Sequence, residues 1–175
     1  MNDTLKTLLE RRSIRKYKDT QITDEQLNQI LEAGKYAPTG SGSQSPIIVV
    51  IQNKNLIHEL SILNAKVLGR EGTDPFFGAP TLLIVFGDRG GKPTTYLEDG
   101  SLVLGNIMNA AYSIGVDSCW VNRARQVFES KAGQEFLKEW GIEGDYVGIG
   151  NCSLGYRDCE YPEPKPRKEN YVIRV

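Results

Sequence analysis

Five cations and one serine mark where this chain could hold an anion. Arg11, Arg12, Ser13 and Arg15 fall within five residues, in the order Arg-Arg-Ser-Ile-Arg. Guanidinium forks beside a hydroxyl suit the terminal phosphate of a nucleotide, because their planar donors match phosphate oxygens two at a time. Alone, the segment reads as a solvated basic helix end. A second group changes that weighing: Lys165 and Arg167 stand on a tail stiffened by Pro162, Pro164 and Pro166. Two compact basic groups in a chain of net charge −1 and pI near 5.9 point to one shared anion.

The stretch from Pro38 to Pro46, Pro-Thr-Gly-Ser-Gly-Ser-Gln-Ser-Pro, is the next candidate. Its glycines permit close backbone approach, while Thr39, Ser41, Ser43 and Gln44 offer donors and acceptors for a ribityl chain or a pyrimidine edge. Composition alone favours a flexible surface connection.

Several chemistries are excluded. His58 is the only histidine, so no site can use two imidazoles, and the surrounding His-Glu-Leu-Ser-Ile lacks the second His of a zincin helix. His58 reads as a helix-surface residue. Cys119, Cys152 and Cys159 are odd in number and lack C-x-x-C spacing, so they read as reduced thiols. Gly-Asp-Arg-Gly-Gly-Lys-Pro at 87–93 is one residue short of a P-loop and has Pro93 where the magnesium-binding hydroxyl belongs; it reads as a turn. In 148–153, Ser153 replaces the third glycine of a dinucleotide fingerprint and no helical pattern follows.

The elements that must position these residues follow from periodicity. Leu5, Leu8 and Leu9 predict a short amphipathic helix just before the basic cluster. Thr23 and Gln26, in capping-box spacing, open a second helix with Leu27, Ile30 and Leu31 as its buried stripe, ending between Gly34 and Pro38. Strands are predicted at Ile47 to Ile51, Thr81 to Phe86, Val116 to Asn122 and Tyr146 to Leu154. Helices are predicted from about Leu56 to Leu68, from Tyr96 to Ile114 and from Gly133 to Trp140, with a small strand-like end at Tyr171 to Val175. The Tyr96 to Ile114 helix is apolar nearly all round, which calls for central burial. The order is that of an α+β domain.

Composition sets the outer limits. With 175 residues, 39% of them hydrophobic and 25% charged, one compact domain spanning 1–175 is expected. Charges interrupt the N-terminus where a signal peptide needs an apolar core, and no run reaches the roughly 18 apolar residues of a membrane span. A cytoplasmic protein is expected. Near-zero net charge and the lack of a recognised motif argue against nucleic acid as a partner.

Taken in order along nearly the whole chain, these residues resemble the nitroreductase family. Arg11-Arg12-Ser13-Ile14-Arg15 matches its Arg-x-Ser-x-Arg/Lys opening, and Pro38-Thr39 through Gln44 matches its Pro-Ser/Thr-x-x-x-x-Gln loop. Asp99 to Asn106, Gly115 to Val121, Val147 to Gly150 and a Lys-x-Arg tail complete the set. The resemblance implies an α+β three-layer sandwich: a mixed central sheet flanked by helices, a homodimer formed across a long helix, and a C-terminal tail reaching the partner subunit. It implies FMN bound in two clefts between subunits, with NAD(P)H and a small electron-poor acceptor, such as a nitroaromatic or quinone, stacking in turn on the flavin in a ping-pong cycle. No protein nucleophile is then required.

By position, the resemblance assigns Arg11, Ser13 and Arg15 to the FMN phosphate, ribityl chain and pyrimidine side, with Arg12 adding charge. Lys165 and Arg167 become phosphate ligands from the tail. Pro38, Thr39, Gly40 and Gln44 fall under the ribityl chain and pyrimidine ring, and Cys119, Trp120 and Val121 along the isoalloxazine. A fixed cation such as Arg15 would stabilise the negative charge that reduced flavin gains near N1. The chain departs from many relatives at Gly42, where Asn is common, and at Ser45-Pro46, where Pro-Trp is common. Phe76 or Phe77 could stack on a substrate, although a hydrophobic anchor is the better reading. Two other functions fit the same residues: an FMN-holding module without turnover, and a reductive dehalogenase-like relative, for whose longer lid this chain has little room.

Overall fold

A computed structural model describes all of residues 1–175. Its elements are α1 (Asp3–Glu10), α2 (Asp24–Lys35), β1 (Ile47–Ile51), α3 (Lys54–Leu68), β2 (Thr81–Asp88), α4 (Tyr96–Ser113), β3 (Asp117–Val121), α5 (Ala124–Glu129), α6 (Lys131–Glu139) and β4 (Tyr146–Gly155). Short 3-10 turns occupy Gly40–Gly42 and Glu169–Tyr171.

Local chemistry explains most of the boundaries. The Thr23–Gln26 capping box forms in both directions at the start of α2. α3 begins at Lys54, ahead of the expected Leu56, because the Asn53 side chain accepts the Asn55 and Leu56 N–H groups at 3.0 and 3.1 Å. Gly69 ends it in a left-handed conformation, φ 70°.

The sheet runs β1-β2-β4-β3, and all three pairings are antiparallel. The sheet that the resemblance implies as mixed is thus antiparallel throughout its four strands; the one parallel pairing, the Ser13–Ser118 bridge, lies outside them. β2 is the axis of the fold, with Leu82 to Phe86 fully buried. Alternation along the strands divides the core. Leu83, Val85, Cys152 and Leu154 pack with Ile30 of α2 and Val103, Leu104 and Ile107 of α4. Leu82, Ile84 and Phe86 pack with Leu60 of α3, Val127 and Phe128 of α5 and Leu137 of α6. The result is the three-layer sandwich.

Three features differ from expectation or extend it. α5 was not foreseen: six residues are too few to show a period, and it is entered through Arg123 at φ 84°. Tyr171 to Val175 forms no strand, since no neighbouring strand takes its backbone groups within this chain, and its side chains are exposed. The Leu5, Leu8 and Leu9 stripe of α1 is 50 to 59% exposed, and α4 leaves Leu97 and Leu102 uncovered. Apolar surface that the sequence places on helix faces is therefore only partly covered by one copy of the chain.

Gly87 and Asp88 end β2 and residues 89–93 turn away from it, with Arg89 held to Asp145 at 2.7 Å, and 148–153 lies in β4. His58 is exposed on α3, and Phe76 is buried in the α3-side core as an anchor. All three cysteines are free; burial pushes the Cys119 and Cys152 thiols up, whereas Cys159 is exposed.

Two outcomes are expected. A native-state thiol titration with a maleimide should label Cys159 alone, and all three cysteines should react after denaturation. Gly148→Ala places a Cβ 2.6 Å from the Ala124 carbonyl carbon, so denaturant unfolding should show a loss of about 1–3 kcal/mol from overpacking.

Candidate functional site

The basic segment is built onto the open edge of β3. Ile14 N–H donates to the Ser118 carbonyl at 3.0 Å, next to the Ser13–Ser118 bridge. Ile14 and Tyr17 are buried, which turns Arg15 and Lys16 outward. Farther on, Lys18 N–H donates to Tyr156 and Asp158 N–H to Lys16, so residues 13–18 also follow the chain leaving β4.

Side chains reinforce this path. The Tyr161 hydroxyl accepts Arg12 N–H at 3.0 Å and donates to the Glu10 carbonyl at 2.9 Å. Tyr161 stacks on Tyr112, whose hydroxyl donates to Glu10 Oε2; desolvation and that bond push Tyr112 up to about 12. Arg157 lies over the Tyr161 ring and pairs with the buried Asp117 at 3.2 Å.

The cations here divide into two kinds. Lys16 pairs with Asp158 and Arg157 with Asp117. Arg11, Arg12, Arg15, Lys165 and Arg167 enter no ion pair. Arg12 directs Nη1 at the Leu9 and Arg11 carbonyls at 2.8 and 2.9 Å, so part of its role is to cap α1. Arg11 Nη1 and Arg12 Nε are buried without a partner, as is the Ser118 hydroxyl. A buried guanidinium nitrogen without an acceptor is costly, and a bound anion would satisfy it.

Burial raises the Cys119 thiol, while Arg15, Ser13 and Arg11 each pull it back. Cys119 and Val121 turn into the α3-side core, so only Trp120 of this trio offers an exposed side chain, at 43%. A Cβ on Gly150 would run into the Trp120 indole; the glycine makes room for that ring. The tail cations are exposed, four and six residues beyond Tyr161, which confines them to about 14 and 21 Å of that anchor.

The 38–46 loop is ordered by Asp99, a residue singled out only as part of the family pattern. Asp99 is 2% exposed in the first turn of α4. It accepts Gly40 N–H at 2.9 Å and the hydroxyls of Thr95, Ser45 and Ser43 at 3.1, 3.3 and 3.5 Å. Thr39 Oγ1 accepts Gln44 N–H at 3.0 Å. Gly40 and Ser43 thus direct polar groups at α4, and Thr39 accepts a bond within the loop. Pro38 and Gln44 are exposed, and the Gln44 amide has no partner in the chain. A carboxylate in an otherwise apolar helix stripe, opposite a hydroxyl-rich loop, was the available signal for Asp99.

The two halves do not meet within one chain. The loop leads into β1 and the basic segment lies on β3, at opposite edges of the sheet. Three strand spacings, about 14 Å, separate those edges. The groove beside the loop is lined by Leu31, Gly34, Thr39, Gln44, Pro46 and Val103, with no residue of the basic segment.

Comparisons with known proteins agree with this architecture. A protein of Archaeoglobus fulgidus named NADH dehydrogenase/NAD(P)H nitroreductase is 30% identical over 98% of this chain and 91% of its own length. The NADPH-flavin oxidoreductase of Vibrio harveyi is 30% identical over 99% of this chain and 73% of its length. The crystal structure of a nitroreductase with bound FMN from Bacteroides fragilis superposes with a TM-score of 0.91, at 28% identity and complete coverage of both chains. The model of the nitroreductase family matches residues 8–156, and the chain belongs to that family.

Proposed function

We propose that this protein is an FMN-dependent oxidoreductase that takes electrons from NAD(P)H and passes them, in a ping-pong cycle, to a small electron-poor acceptor such as a nitroaromatic or quinone. The observation that carries the reading is the buried, unpartnered Arg11 Nη1 among cations that no carboxylate neutralises. That donor set fits the phosphate of FMN. Bound FMN supplies the redox chemistry. Arg11, Arg12 and Ser13 would hold its phosphate and ribityl chain, with Lys165 and Arg167 closing over the phosphate from the tail. Arg15, exposed and unpaired beside Cys119, would stand at the pyrimidine side as the fixed positive charge. Trp120 would lie along the ring.

A homodimer completes the site in this reading. Pro38, Thr39, Gly40 and Gln44 reach a flavin on the Arg11 segment only from another copy, because their own chain holds them at the far edge of its sheet. The exposed stripe of α1, Leu102 of α4 and the apolar end of the tail supply surface for that contact. Gly105, with open space where a Cβ would stand, lets another helix approach α4 closely.

The purified protein should show flavin absorbance that bleaches on anaerobic addition of NADH or NADPH; a bound flavin that neither reduces would contradict turnover. Arg11→Ala should weaken FMN binding by roughly 10- to 100-fold in a fluorescence titration, as expected for a lost charged hydrogen bond. Riboflavin, lacking the phosphate, should respond far less. Leu102→Glu should sediment as a monomer and lose flavin, and a flavin-replete monomer would exclude the shared site.

A further inference from the structure

We propose that Asp99 is a positioning residue that shapes the 38–46 loop for the flavin held by the other subunit's basic segment; this rests on the FMN reading above. The carboxylate is buried, enters no ion pair, and is satisfied by donors from two segments: Gly40, Ser43 and Ser45 of the loop, and Thr95 one turn earlier on its own helix. A buried charge without a counter-ion is tolerated only when hydrogen bonds replace its water, and the N-terminal turn of α4 adds a favourable dipole. Its shortest contacts, Gly40 N–H at 2.9 Å and the Thr95 hydroxyl at 3.1 Å, tie the start of the loop to α4, and the Ser45 and Ser43 hydroxyls approach at 3.3 and 3.5 Å.

What it holds is a strained shape. Ser41, Gly42 and Gln44 adopt φ of 51°, 66° and 50°, a left-handed conformation that costs the two non-glycine residues energy. Such a loop relaxes unless something fixes it. Asp99 fixes it on one side and the bond from Gln44 N–H to Thr39 Oγ1 closes the other, fixing the backbone from which the exposed Gln44 side-chain amide projects. Because the loop stands at the β1 edge and the basic segment at the β3 edge, the flavin that meets this amide belongs to the partner's Arg11. Asp99 thus acts through the loop, without touching the ligand, and across the subunit boundary.

The test is Asp99→Asn in the full-length protein, which keeps the shape of the side chain and removes its charge. FMN Kd should rise about tenfold and the visible spectrum of bound flavin should shift, while inorganic phosphate competes as it does in the wild type, since it probes the arginines alone. An unchanged Kd and spectrum would overturn the positioning role. Where the variant misfolds by circular dichroism, Ser43→Ala/Ser45→Ala, which leaves the Gly40 and Thr95 bonds, should show the same direction with a smaller effect; no effect there would likewise overturn it. Mixed dimers of an Asp99→Asn chain and an Arg11→Ala chain should recover one tight FMN site per dimer, absent from either variant homodimer. No recovered site would overturn action across subunits, wild-type affinity in the Arg11→Ala homodimer would overturn the placement of the flavin phosphate on Arg11, and failure of the wild-type protein to bind FMN would overturn the FMN reading itself.

Discussion

The site depends on how the open edge of β3 is used. An edge strand presents unpaired backbone groups, and here residues 13–18 take up part of that edge and of the chain leaving β4. Ile14 and Tyr17 supply the apolar burial that keeps the segment there. With those two buried, Arg15 and Lys16 between them stand exposed. The same region receives Tyr161, so the start of the basic tail is tied to the backbone of Arg12. One docking event thereby brings the start of the tail that leads to Lys165 and Arg167 against a basic segment about 150 residues earlier in the chain.

The second half of the site obeys a different constraint. The 38–46 loop cannot migrate toward β3, since it leads directly into β1 at the other edge of the sheet. Its polar groups are gathered by a buried carboxylate on α4, the helix that also packs over β2, β4 and β3. Loop and cations therefore stand at opposite edges of the sheet of each chain. In the dimer proposed above, a two-fold axis would bring loop and cations together twice, and the uncovered apolar faces of α1 and α4 would supply that contact.

Much of the fold was legible in the sequence. Thr23 and Gln26 announced α2, the apolar runs at 47–51 and 81–86 announced two strands, and Gly115 marked the end of the long helix, because these signals are local and act over a few residues. The resemblance carried by Arg11 to Arg15, Pro38 to Gln44 and the later segments identified the family. α5 was invisible, being too short for periodicity, and Tyr171 to Val175 looked like a strand because β propensity is written in the residues while a pairing partner is not. For the site, the sequence determined which residue types were present: clustered cations, a hydroxyl-rich loop, and one histidine too few for imidazole pairs. Only the tertiary structure decided which cations stay free, with Lys16 and Arg157 paired and Arg11 left without an acceptor. It also decided that Asp99 shapes the loop and that loop and cations stand at opposite edges. The physical reason is that hydrogen bonding, ion pairing and burial depend on distances between residues remote in the chain, which strand order sets and local patterning does not record.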